Sequence, residues 1–317
     1  MVDDTLLMEA LDARVERRNH RRDFFKTMGA GAAVAIGGGL YLANAPGAVA
    51  QTAPSDADIL NFALNLEYLE AQFYSFAATG AGLPNNLLSG TGTQGGVSGG
   101  RQVNFSDPIV RQYANEIAAD EIAHVAFLRN ALGTAAVSQP PVDINVTPTS
   151  AFSNAARAAG LIGAGQSFDV YANDENFLLG AFIFEDVGVT AYKGAAALIT
   201  NKTFLEAAAG LLAVEAYHAA LVRTTLYGKG VATPALRSAT EAISNARDSL
   251  DGPSNLDQGV AMVNGASNIA PLDENGLALS RTTGQVLNIV YLNNAAVSTG
   301  GFFPAGVNGT IRTSAAN

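Results

Sequence analysis

The 317-residue sequence contains no cysteine, no tryptophan and only three histidines, and 15% of its residues are charged. Without cysteine there are no disulfides, thiolate nucleophiles, iron–sulfur clusters or thiolate zinc sites. Basic residues are scarce too: 18 Lys and Arg stand against 28 Asp and Glu, a formal net charge of −10. No basic surface is available to track phosphates, which excludes nucleic acid as a partner. What is abundant is apolar chain, 48% of residues, ample to bury a core and too much for an acidic disordered protein. With so few histidines, acid–base or metal chemistry has few places to sit, and their positions carry the reading.

The amino terminus reads as an address. Six basic side chains, Arg14, Arg17, Arg18, Arg21, Arg22 and Lys26, precede a stretch from Thr27 to Ser55 that carries no charge. That stretch is rich in Ala and Gly (Gly29, Gly31, Gly37, Gly38, Gly39) and passes through Ala48-Val49-Ala50, a small-x-small cleavage pattern. Its glycines and Pro46 weaken it as a transmembrane anchor and favour a removable signal. The junction Arg21-Arg22-Asp23-Phe24-Phe25-Lys26 resembles a twin-arginine export signal, with His20 where Ser or Thr is usual. Residues 1–50 are therefore expected to engage the twin-arginine export machinery, which carries folded and cofactor-loaded proteins. The expected destination is periplasmic or otherwise exported, with membrane contact only through the signal. Residues 51–317 hold 12 basic and 22 acidic side chains, so the whole net charge belongs to the mature part.

Four long segments of that part show apolar periodicity near 3.6. The first is expected over about Asp56 to Thr79, capped at Ser55 or Asp56, and is followed by a glycine-rich loop. The second runs from Asp107, with Pro108 in its first turn, to Leu132. A Pro-containing crossover of roughly forty residues, with a short helix near Ser150–Gly160, leads to the third segment, Asp174 to Thr200. Asn201-Lys202 turns into the fourth, expected to end near Tyr227-Gly228, and a fifth helix spans about Pro234 to Leu250. Strand signals are sparse. The expectation is all-α: a four-helix bundle over 51–230 with one long crossover, and a loop-rich C-terminal extension over 231–317 packing on it.

Two of the three histidines lie in this bundle in one local pattern, Glu121-Ile122-Ala123-His124 and Glu215-Ala216-Tyr217-His218. Three residues on an α-helix is about 60° of rotation and one turn of height, so each Glu and His share a face and can ligate one metal ion. The first and third helices each supply a Glu followed seven residues later by a Tyr: Glu67 with Tyr74, and Glu185 with Tyr192. The two helix pairs thus form a degenerate repeat, which extends to Arg129 and Arg223, each five residues after its histidine. Glu70, 60° from Glu67, is an alternative to it; the Tyr spacing favours Glu67. Asp120, four residues before His124, is placed to accept that histidine's second N–H or to be solvated; Val214 stands at the equivalent place on the fourth helix. Tyr74, Tyr192 and Tyr217 are redox-active groups, second-sphere donors or, as is commoner, core residues. Four carboxylates and two imidazoles suit iron or manganese rather than copper(I), and four negative charges offset two divalent cations. Without metal, four inward glutamates would be a severe desolvation problem.

A Glu from each of two helices with Glu-x-x-His from each of the others resembles the di-metal carboxylate arrangement of the ferritin-like superfamily. The tail adds Asp273-Glu274-Asn275-Gly276, Arg281-Thr282-Thr283-Gly284-Gln285-Val286-Leu287-Asn288-Ile289-Val290-Tyr291 and Gly300-Gly301-Phe302-Phe303-Pro304-Ala305-Gly306-Val307-Asn308-Gly309. These blocks are similar to those of an exported branch related to plant desiccation-related proteins. The resemblance implies a ferritin-like bundle, two iron or manganese ions and a stress association, without naming a reaction. Within the tail, Gln285–Leu292 is expected to form a short helix anchored by Phe302 and Phe303, and the Asp273 run a plain surface turn.

Three functions stay open at this point. The first is a di-metal oxidoreductase handling peroxide or oxygen, as a ferroxidase, a peroxidase or a manganese-catalase-like enzyme. The second is iron storage, for which the long loop, crossover and tail would obstruct a closed shell. The third is an envelope protein in which metal serves as a structural staple. A homo-oligomer is compatible with each.

Overall fold

Ser55 opens the bundle. In the computed structural model, which describes residues 53–317, the Ser55 hydroxyl accepts from the Asp58 amide while the Asp58 carboxylate accepts from the Ser55 amide. This reciprocal cap starts α1 (Asp56–Thr79), which Gly80 ends in a left-handed conformation at φ 78°. The expected export segment, with Arg21 and Arg22, lies outside the described residues.

The chain continues through a short strand β1 (Val97–Gly99) into α2 (Pro108–Leu132), whose first turn is capped by the Asp107 carboxylate. Strand β2 (Val142–Ile144) pairs in parallel with β1, tying the glycine-rich loop to the crossover. Helix α3 (Ala151–Ala158) interrupts the crossover before α4 (Asp174–Ala196) and α5 (Lys202–Ala232) complete the bundle. The extension adds α6 (Ala235–Asp251) and α7 (Thr283–Tyr291), the latter opened by a Thr282–Gln285 capping box. Residues 53–317 form one compact unit.

Two expected boundaries shift. Helix α4 stops at Ala196 rather than Thr200, because the amides of Thr200 and Asn201 are taken by the Asp56 carboxylate at the start of α1. Helix α5 passes Gly228 and continues to Ala232. The glycine at 230 serves clearance: a Cβ there would lie 2.5 Å from the Arg237 side chain, which stacks on Tyr227.

The four bundle helices are not buried alike, and sequence pattern explains the difference. Helices α1 and α4 are apolar on nearly every side, with unbroken buried runs over 67–75 and 177–188. Helix α2 buries a single stripe, including Ile117, Glu121, His124, Val125 and Leu128. A helix apolar all round must be covered all round. The crossover and tail supply that cover: Phe152, Phe302 and Phe303 are fully buried, and Phe302 packs edge-on against Phe184 of α4. The expected tail helix is thus realised in α7 with its phenylalanine anchors.

The tail is also held by buried charge. Arg223 of α5 donates to Asp186 and to the carbonyls of Gln258, Gly259, Asn268 and Ile269. Arg247 of α6 bridges Asp186 and Asp257, and Arg281 bridges Asp257, Asp251 and the Thr190 hydroxyl. Three arginines and three aspartates balance in a dry setting, which is tolerable because the arginines, Asp186 and Asp257 each make more than one of these bonds. The network clamps the extension onto α4 at the residue after Glu185. The Asp273 run is a turn closed by its own carboxylate, which accepts from the Asn275 and Leu277 amides.

Candidate metal centre

All six residues singled out as donors face the middle of the bundle. Glu67, Glu121, His124, Glu185, Glu215 and His218 are each 6% exposed or less. Donor atoms of Glu67, Glu121, His124 and Glu215 lie within 4.8 Å of one another, an arrangement that can hold a metal ion. His124 Nδ1 is 3.2 Å from Glu67 Oε2, 3.6 Å from Glu121 Oε2 and 3.8 Å from Glu215 Oε1. His218 Nδ1 is 3.1 Å from Glu121 Oε1 and 3.7 Å from Glu185 Oε2. Glu121 therefore reaches toward both histidines, whose ring centroids are 6.1 Å apart.

Apart from the hydrogen bond between His124 and Glu67, the donors are aimed at one another without satisfying one another. Glu121 Oε2, Glu185 Oε2, both oxygens of Glu215 and His218 Nδ1 are buried with no hydrogen-bond partner among the described residues. Unpaired buried polar atoms are costly, and a cluster of five on facing helices fits a site built for cations. The residues present fit a metal centre of oxygen and imidazole donors.

Electrostatics say the same. Burial, reinforced by the charge of Glu121, pushes Glu67 up to about 7. Burial also lifts Glu185 to about 8, against the pull of His218. Glu215 and Glu70 are raised well above the usual carboxylate range by burial and by their acidic neighbours. At Glu121 burial acts upward, but the close imidazoles of His124 and His218 outweigh it and bring the group down to about 2. The histidines move oppositely: burial acts downward, yet the surrounding glutamates hold His124 up to about 11 and His218 to about 9. The metal-free pocket thus keeps protons where a metal-bound one would hold cations.

The tyrosines bond across the bundle. The Tyr74 hydroxyl of α1 donates to Glu185 of α4, and the Tyr192 hydroxyl of α4 donates to Glu67 of α1. Each repeat half thus orients the other half's terminal carboxylate. The arginines repeat as well: Arg129 donates to the Tyr68 hydroxyl, next to Glu67, and Arg223 to Asp186, next to Glu185.

Two expectations are corrected. Asp120 does not serve His124; it lies 3.2 Å from Nε2 of His218, across the bundle, because α2 presents it to α5 rather than along its own turn. Tyr217 is neither a second-sphere donor nor core: it is 70% exposed, one residue and about 100° round the helix from inward-facing His218.

One residue read only as an alternative, Glu70, lies at the site, and one residue, Gly188, escaped the sequence reading. Glu70 is a fifth buried carboxylate, outside the close donor set that includes Glu67. Gly188 provides the room: a Cβ there would lie 2.1 Å from Glu215 Oε2 and 3.6 Å from Glu70 Oε1. The signal was available, since Gly188 follows Glu185 by the spacing at which Glu70 follows Glu67. Gly188→Ala is expected to displace the Glu215 carboxylate and at least halve the metal bound at stoichiometric loading, as measured by elemental analysis. Unchanged metal content in a folded variant would refute the need for clearance.

Fold and site together define an all-α bundle protein with a buried carboxylate–histidine centre able to hold metal. Residues 55–228 match the ferritin-like domain family, and the chain belongs to it. Among similar proteins is desiccation-related protein PCC13-62 of Craterostigma plantagineum, 34% identical over 55% of this chain and 53% of that protein, about half its length. Another is ferritin-like catalase Nec2 of Nesocodon mauritianus, 28% identical over 81% of this chain and 85% of that protein.

Proposed function

We propose that the protein is an exported di-metal carboxylate oxidoreductase that disproportionates hydrogen peroxide, with iron or manganese as the metal. The observation that carries the reading is the set of orphaned, buried donors on α2, α4 and α5, with one Glu and one His on each side of the shared Glu121. Glu67 and His124 would hold one ion, Glu185 and His218 the other, with Glu121 and Glu215 between them. When bound, such a pair would supply and take back two electrons. Two peroxide molecules then yield one O2 and two H2O, with no external reductant.

The chain's own residues shape that chemistry. Tyr74 and Tyr192 fix one oxygen of Glu185 and of Glu67, leaving the other oxygen of each turned to the centre. Leu69, Phe184 and Val187 line the pocket around Glu70 and Gly188 and keep bulk water away. His124, 6% exposed, is the most accessible of the six donors, so a small uncharged oxidant would meet the centre from its side. The similarity to a protein named a catalase, over most of both chains, supports the choice of reaction. Likeness to a desiccation-related protein supports a role in stress protection.

The test is direct. Protein purified with its native metal, or apo-protein loaded with manganese(II) or iron(II), is expected to evolve oxygen from peroxide with O2 equal to half the peroxide consumed. Stoichiometrically loaded protein that consumes no peroxide would overturn the activity while leaving the metal centre standing. Fractionation of the source cells tests export separately, with the protein expected outside the cytoplasmic membrane.

A further inference from the structure

We infer that the two metal positions are unequal, and that Asp120 makes the one formed by His218 and Glu185 fill first. This rests on the di-metal reading above and goes beyond it.

The argument starts from where the repeat breaks. Glu67 has Glu185 as its counterpart, Tyr74 has Tyr192, Glu121 has Glu215, His124 has His218 and Arg129 has Arg223. Asp120 has none, for its place on α5 is taken by Val214. One imidazole of the pair therefore has a carboxylate on its outer nitrogen: His218 Nε2 stands 3.2 Å from Asp120 Oδ2. Among the described residues no such carboxylate is paired with the outer nitrogen of His124.

That contact has a chemical consequence. A carboxylate accepting from Nε2–H keeps the proton on that nitrogen and leaves Nδ1 as the ligand, oriented before any ion arrives. His218 Nδ1 is in that condition, buried and without a hydrogen-bond partner, and Glu185 Oε2 opposite it is unpartnered too. The other half is closed on itself: His124 Nδ1 is hydrogen-bonded to Glu67 Oε2, while the second Glu67 oxygen is held by Tyr192. An ion must break this internal bond to enter. Both differences, a preset imidazole on one side and an occupied donor pair on the other, favour the same position.

Asp120 is thus a positioning residue, acting through His218. Its side chain is 43% exposed, so neutralising it leaves the core intact.

The experiment is a manganese(II) titration of the full apo-chain, with free manganese(II) read from its electron paramagnetic resonance signal. The wild type is expected to bind two ions in two steps separated by at least about tenfold in affinity. Asp120→Asn is expected to weaken the first step by about 10–100-fold and leave the second in place. His218→Ala is expected to delete the tight step and His124→Ala the weak one, which assigns each position. Unchanged circular dichroism and a preserved weak step show that Asp120→Asn is folded. Two ions bound by the wild type with a single affinity would overturn the inference, as would an Asp120→Asn variant with both steps unchanged or both equally weakened. A wild-type chain that binds no manganese(II) stoichiometrically would instead overturn the di-metal reading.

Discussion

Glu121→Ala is expected to empty the centre, taking metal content from the proposed two ions per chain to near none. The reason is position. Glu121 is the carboxylate that approaches both histidines, 3.6 Å from His124 Nδ1 through one oxygen and 3.1 Å from His218 Nδ1 through the other. Its low proton affinity also makes it the group that stays anionic in the metal-free pocket, the negative charge that admits the first cation. Removing it deprives both positions of a donor at once and leaves two buried histidines facing protonated acids. The loss should exceed the about 10–100-fold that removal of a supporting residue costs. Glu121→Gln, which keeps the shape and the fold, should behave nearly as badly. Elemental analysis of both variants after dialysis checks the prediction, with peroxide turnover as a second reading. Two retained ions in a folded variant would refute the assignment of the centre.

Removal of metal is expected to lower the melting temperature, and to lower it more as pH rises. Glu67 and Glu185 titrate at about 7 and about 8 in the folded metal-free chain, against an ordinary value of 4.5. A raised carboxylate favours the folded state while protonated, so its stabilisation is complete below 4.5 and is withdrawn as pH climbs to its folded value. The histidines, raised from 6.5 to about 11 and about 9, lose their stabilisation in the same direction across the alkaline range. All four act together, and each pKa unit amounts to about 1.4 kcal/mol at most. Metal reverses the balance by replacing protons with cations. At one hundred times its dissociation constant each ion adds about 2.7 kcal/mol, so chelation should lower the transition by roughly 10–20 °C near neutral pH. Scanning calorimetry with and without chelator, from mildly acidic to mildly alkaline buffer, measures it. A gap between the two curves that stays constant or narrows with pH would contradict the proton–metal exchange.

Much of this centre was legible before any coordinates. Helical periodicity is a local property, so Glu121 with His124 and Glu215 with His218 had to share a face wherever those helices packed. The seven-residue step from Glu67 to Tyr74, repeated from Glu185 to Tyr192, marked two more helices of the same set. The helix starts read at Ser55, Asp107 and Asn201 lie where short polar side chains meet apolar runs, and each of these residues caps its helix. Tyr217 was misplaced: expected at the site or in the core, it is carried to the surface by its angle of about 100° from inward-facing His218.

Contacts between helices were not legible, because spacing along one helix says nothing of what the neighbouring helix presents. Asp120 could be placed one turn before His124, but only packing shows that it meets His218. Tyr74 and Tyr192 could be placed below their own glutamates, yet each bonds to the other's. Gly188 looked like an unremarkable helical glycine until the Glu215 carboxylate came to rest against it.

The absences that framed the sequence retain their meaning. By itself the sequence determined the chemical character of the site: no thiolate, few imidazoles, many carboxylates, and helical spacing that sets them in register. It also determined which helices carry them, since apolar periodicity and capping act over a few residues at a time. Only the tertiary structure decided which donors meet, which remain unpaired and which half of the repeat is braced by Asp120. Those are distances between residues far apart in the chain, set by side-chain volume and by the buried arginine clamp on α4, and no local pattern encodes them.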